Sequence, residues 1–170
     1  MACAGAARRR AAGRSAAELA QSQGRTLFVG DLPPAGFTGG FGIYADGAGN
    51  IAFWVGNSAT NRVLAPIVAG QWSHLAGSWD GTTLRLYVNG ALAASAASTA
   101  GPGTLGAQPA LIGRGAGGNG VRWGGGIAEV AVYGAALDAA SVLRHFRAAG
   151  EAGAAAPVGA TGLVVRGNTI

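Results

Sequence analysis

The chain has 170 residues, 39 of them Ala and 32 Gly; Leu, Val, Ile and Phe together supply only 36, near the lower limit for folding as one domain around a buried core. All 12 basic residues are Arg, four of them in residues 1–24, and residues 25–170 balance eight Arg against six acids, so a nucleic-acid-binding stripe on the folded body is excluded. One Cys, Cys3, leaves no intramolecular disulfide and no Cys-based metal cage, and no apolar run reaches the roughly 20 residues of a membrane span, so no membrane insertion is expected.

In chain order, residues 1–24 read as a low-complexity Ala/Arg-rich tail, in which Ser15 and Glu18 have capping-box spacing for a short helix. Its arginines are not followed by the apolar core of a signal peptide. Residues 25–150 read as β structure. Short β-branched and aromatic runs fall near 26–30, 40–45, 50–56, 62–68, 72–79, 83–88, 91–97, 109–113 and 126–133, separated by turn signals. Asp80-Gly81 and Asn89-Gly90 mark hairpins, so residues 72–97 form a three-stranded meander.

Alternation assigns the faces. Ile51, Phe53 and Val55 oppose Trp54; Leu84, Leu86 and Val88 oppose Arg85 and Tyr87. Over 126–133, Ala128, Val130 and Val132 oppose Ile127, Glu129, Ala131 and Tyr133. Trp72 and Trp79 are expected in the core. A helix over about 139–149 is capped by Asp138, stapled by Leu137 against Val142 and closed by Gly150 at C′. Residues 151–170 read as a second tail, rich in Ala and Gly.

The segment from Gln71 to Gly90, QWSHLAGSWDGTTLRLYVNG, resembles the signature of bacterial LamG-like domains, W-x-H-[LV]-A-[GA]-x-[WY]-D-G followed by L-x-[LI]-Y-V-[DN]-G. These are laminin G-like members of the concanavalin A-like lectin/glucanase superfamily. Leu111–Arg114, Gly125–Tyr133 and Ala136–Asp138 resemble the closing strand and following helix of that family. The resemblance implies an all-β fold, an antiparallel two-sheet jelly-roll sandwich over 25–150 with one short C-terminal helix. It also implies an N-terminally truncated domain, because family members carry strands before the one at 26–30. Uncovered sheet edges would then permit self-association. Where the family's closing strand often carries Asp, this chain has Ala128.

For function, the resemblance implies a non-catalytic extracellular recognition or adhesion module of a larger secreted bacterial protein, with glycans or cell-surface proteins as partners. The alternative is a structural protein-interaction or spacer domain without a sugar site. A glycoside hydrolase would need two carboxyls roughly 5–9.5 Å apart, and the seven acids include no locally paired strand residues. His74 reads as a packed, hydrogen-bonded histidine rather than a base or metal ligand. The Gly-rich runs at 115–120 and 124–126 lack the Lys of a phosphate loop. No cofactor is expected; calcium, with Asp46 and Asn50 as candidate oxygen ligands, is equally explained by turn chemistry. Sugar-stacking candidates are the aromatics off the core parity: Trp54, Tyr44 and Tyr87, with Trp123 beside Arg122 in a Gly-rich loop.

Overall fold

The computed structural model describes residues 2–7, 25–30, 38–57, 59–69, 71–102, 111–113, 123 and 127–154. Among the described residues ten strands run in chain order: β1 (Ala2–Ala7), β2 (Arg25–Gly30), β3 (Thr38–Ala45), β4 (Asn50–Asn57), β5 (Arg62–Pro66), β6 (Ser73–Trp79), β7 (Thr83–Val88), β8 (Ala91–Ala97), β9 (Leu111–Ile112) and β10 (Ala128–Tyr133). One helix, α1 (Ala139–Ala154), closes the described chain. The strands form two five-stranded antiparallel sheets, ordered β10-β1-β6-β7-β8 and β5-β4-β3-β2-β9. This is the jelly-roll sandwich the sequence predicts.

Interdigitated side chains fill the space between the sheets. Phe41, Ile43, Ile51, Phe53, Val55 and Val63 from one sheet meet Leu75, Leu84 and Leu86 from the other. The period-2 reading of β4 and β7 is correct. The Asn89-Gly90 hairpin is also as expected: both residues have positive φ, 52° and 80°, and Asn89 Oδ1 accepts the His74 N–H at 2.9 Å.

Four expectations are corrected. Residues 1–24 are not a tail throughout: Ala2–Ala7 pairs with β6 from Ala2↔Ser78 to Ala7↔Ser73, and with β10 from Ala2↔Tyr133 to Ala6↔Ala128. The ladder between β6 and β10 selects this strand, where local β propensity is low. In β10 the alternation breaks. Ala4 pairs with Ala131 and Ala6 with Ala128, so Gly5 alone faces both Glu129 and Val130. Glu129 takes up the extra residue at φ 54°. This bulge turns both Ile127 and Val130 toward the core, although the sequence put them on opposite faces. The helix runs through Gly150 to Ala154 instead of ending there. Trp72 is 40% exposed, not in the core, whereas Trp79 packs against the core as expected.

Helix α1 covers the outer face of the first sheet. Asp138 caps it, accepting the Ser141 N–H at 2.7 Å, and Ser78 Oγ donates to Leu137 O at 3.0 Å. Val142, fully buried, packs with Ala76 and Tyr87, joined by Leu137 and Tyr133. Among the described residues no helix is long and apolar enough to cross a membrane.

Candidate functional site

The outer face of the second sheet is built from alternate residues of three neighbouring strands. The register places Gly42, Trp54 and Arg62 in one row across β3, β4 and β5, and Tyr44, Ala52 and Leu64 in the next. These positions share a face because strand side chains alternate, and the opposite parity is committed to the core. Trp54 is fully buried and forms a cluster of its own, against which Tyr44 packs. Arg62 lies exposed and reaches diagonally across β4, where its guanidinium donates to the Tyr44 hydroxyl. Leu64, 37% exposed, borders the pair. Gly42, Ala52 and Trp54 are all buried, so what these two rows present to solvent is the Tyr44 edge, the Arg62 guanidinium and Leu64.

The expected aromatic candidates therefore divide. Tyr44 and Trp54 come together on this face, Tyr44 partly buried and Trp54 as its floor. Trp54 is corrected as a stacking platform, because no part of it reaches solvent. Tyr87 is likewise corrected: it is 3% exposed, beneath α1. Trp123 packs against the main core with its indole nitrogen buried, and its backbone N–H donates to Gly113 O at 2.8 Å. It is a rim residue of the core rather than an exposed loop platform. Arg122 lies outside the described residues.

The Asp46–Asn50 segment is a self-contained turn. Asp46 Oδ1 accepts from Ala48 N at 2.8 Å and Asn50 N at 3.1 Å, and Oδ2 accepts from Asn50 Nδ2 at 2.8 Å. Burial pushes the Asp46 carboxyl up, but these hydrogen bonds, with the charge of Arg62, hold it below the usual carboxylate value. Both oxygens serve the turn; in Asp80, Oδ1 does so by accepting from Thr82 N and Thr83 N, while Oδ2 accepts from the Arg85 guanidinium on β7. The Arg85 hydrogen bond, followed by those from Thr82 and Thr83, holds Asp80 well below the ordinary range. Among the described residues no group of three His, Cys, Asp or Glu side chains is placed to hold a metal ion.

One polar feature, Asn61, has no counterpart in the sequence expectations, and a second, His74, departs from them in part. Asn61, 2% exposed, joins the two sheets at one end of the sandwich. Its Nδ2 donates to Val55 O at 2.6 Å and Ala100 O at 2.8 Å, and its Oδ1 accepts from Thr99 N at 3.0 Å. Trp79 Nε1 reaches the same knot through Ser98 Oγ at 2.9 Å. An Asn before a strand reads as an ordinary turn residue, so its long-range partners gave no local signal. His74, 7% exposed, packs beneath α1 with its ring 5.9 Å from Phe146, and its Nδ1 is buried without a hydrogen-bond partner. The expected packing is present, but that ring hydrogen bond is not. Burial, with a smaller contribution from the charge of His145, lowers its pKa to about 4.

The family model described as the concanavalin A-like lectin/glucanases superfamily, of laminin-G type, matches residues 17–143, and the chain belongs to that superfamily. No curated protein matches the chain in sequence. Among solved structures it is similar to the CBM40 of the Ruminococcus gnavus IT-sialidase bound to alpha2,3 sialyllactose, at TM-score 0.60 and 16% identity over 85% of this chain and 81% of that one. It is also similar to domain 4 of AbnA, a GH43 extracellular arabinanase from Geobacillus stearothermophilus in complex with arabinotriose (TM-score 0.57, 23% identity, 84% and 64% coverage). A third is the receptor-binding domain of botulinum neurotoxin type G, at TM-score 0.59 and 11% identity; this chain covers 87% of its own length but spans only 38% of that chain.

Proposed function

We propose that this chain is a non-catalytic carbohydrate-recognition module, part of a larger secreted bacterial protein, whose ligand lies on the outer face of β3, β4 and β5. The module comprises the described strands and α1. The observation that carries the reading is the Arg62–Tyr44 bridge over buried Trp54. An aromatic ring edge and a guanidinium on one rigid sheet face supply the apolar contact and hydrogen-bond donors that orient a sugar ring. The solved neighbours lend support, since two were determined with oligosaccharides bound.

The non-catalytic reading is supported by how the acids are used. Of the five described acids, Asp46 and Asp80 close turns and Asp138 caps α1. Glycoside hydrolysis needs a carboxyl kept protonated to donate to the leaving group, and these three are all held below their ordinary value. A glycan array probed with the folded chain tests the proposal. Binding of at least one glycan, abolished in Tyr44→Ala at unchanged thermal stability, supports it; a folded chain that binds nothing on the array contradicts it.

A second reading, a protein-interaction module, rests on β8. Three of the four described sheet edges carry a device that discourages pairing: Arg62 and Pro66 on β5, two-residue length on β9 and the Glu129 bulge on β10. Strand β8, Ala91–Ala97, has seven residues with no charge and no proline. It could accept an added strand from a partner or from a second copy of the chain. Light scattering of wild type and Ala93→Lys separates the cases: a dimer dispersed by the lysine supports self-association, and a monomer at all concentrations removes it.

A further inference from the structure

The recognition face carries one feature that a neutral sugar leaves unused. A guanidinium has five N–H donors. Arg62 spends one on the Tyr44 hydroxyl, and among the described residues no carboxylate touches it. The carboxylate whose field it shares, Asp46, has both oxygens turned into its own loop. The ion pair formed among the described residues, Arg85–Asp80 at 2.5 Å, involves another strand and the other sheet. Arg62 is thus an exposed cation held in place by Tyr44, with spare donors, flanked on its own strand by exposed Leu64.

We propose that this face takes an anionic saccharide, whose carboxylate or sulfate oxygens are gripped by the Arg62 guanidinium beside Tyr44. The planar fork of a guanidinium matches two oxygens of one anionic group, and such charge-assisted pairs are shorter and stronger than bonds to neutral hydroxyls. Tyr44 fixes the fork by accepting one of its donors, so less side-chain freedom is lost when the anion arrives. Leu64, exposed two residues along β5 from Arg62 and on the same face, offers apolar surface to the sugar ring. Arg62 acts here as a specificity-determining residue, and the inference rests on the carbohydrate reading above.

The test uses the full chain on an array of uronate-, sialate- and sulfate-bearing oligosaccharides, each beside its methyl-esterified or desulfated twin, followed by titration calorimetry on the best pair. The expected result is binding of an anionic member that weakens at least about tenfold in its neutral twin and about tenfold or more in Arg62→Gln. Arg62→Lys, which keeps the charge and loses the fork, falls between wild type and Arg62→Gln. Binding also weakens as salt rises from 0.05 to about 0.5 M. The esterified and sulfated arms tell a carboxylate from a sulfate. Equal binding of both twins, or an Arg62→Gln variant that binds as wild type does, overturns the anionic preference while leaving carbohydrate recognition standing. No binding to any member overturns both.

Discussion

Gly77 on β6 faces the ring of Phe53 on β4 so closely that a Cβ on the glycine would lie 2.2 Å from Phe53 Cδ2 and 2.4 Å from Cγ. The two sheets close on each other at this point because one side chain is absent and the other is large. Gly77→Ala is expected to push the ring off its rotamer and cost roughly 1–3 kcal/mol in chemical denaturation. Phe53→Leu in the same chain should recover part of that loss. An alanine variant as stable as wild type would show that the sheets are not locked there.

The Asn61 knot makes a second prediction. Truncation to Ala leaves the Val55 and Ala100 carbonyls and the Thr99 N–H without their buried partner. The expected loss is roughly 2–4 kcal/mol, since several buried polar groups are stranded at once. Asn61→Asp should be at least as damaging, because its second oxygen would face those two carbonyls. Denaturant midpoints of the two variants check this, and a loss below about 1 kcal/mol in both would refute the knot.

The buried histidine predicts a pH dependence with a definite sign. An unfolded His74 binds a proton as pH falls through about 6.5, whereas the folded ring resists until about 4. The unfolded state therefore binds more protons between those values, and stability declines as pH drops from 6.5 to 4 and levels off below. The decline should be roughly 1–3 kcal/mol, with the partial hydration of the ring lowering it from the full linkage value. Asp46, Asp80 and Asp138 have the opposite shift: their contribution is present above the ordinary carboxylate range and is lost below it as pH falls. His74→Leu should flatten the 4–6.5 limb and leave the acid limb in place. An unchanged slope in that variant would assign the dependence elsewhere.

Much of the fold was legible because its signals are local. Asn89-Gly90 and Asp80-Gly81 announce hairpins, and strict alternation in β4 and β7 names the core residues. The cap and staple at Leu137–Val142 place the start of α1. The departures share a cause, namely tertiary pairing that overrides local pattern. Ala2–Ala7 has no large residue to signal a strand, yet it lies between β6 and β10. One residue at positive φ, Glu129, shifts the parity of β10, and nothing in the order of side chains announces it.

The candidate site was legible in part for the same reason. Parity correctly separated Trp54 from the inner core and set Tyr44 beside it, but parity cannot say how deeply an outer-face ring is buried. Trp54 and Tyr87 both lie under cover, Tyr87 through a helix that docks from more than 50 residues away. Arg62 shows in the sequence only as a charge and not as a partner of Tyr44, because the bridge crosses an intervening strand and only the sheet register brings its ends together.

The most direct measurement is backbone amide chemical-shift mapping of the full chain, titrated with the best-binding glycan from the array. If the sugar is recognised as proposed, perturbations concentrate at Gly42, Tyr44, Ala52, Arg62 and Leu64 and track saturation. Perturbations centred on the α1 side of the first sheet, or at the loop turns alone, would contradict the placement of the site.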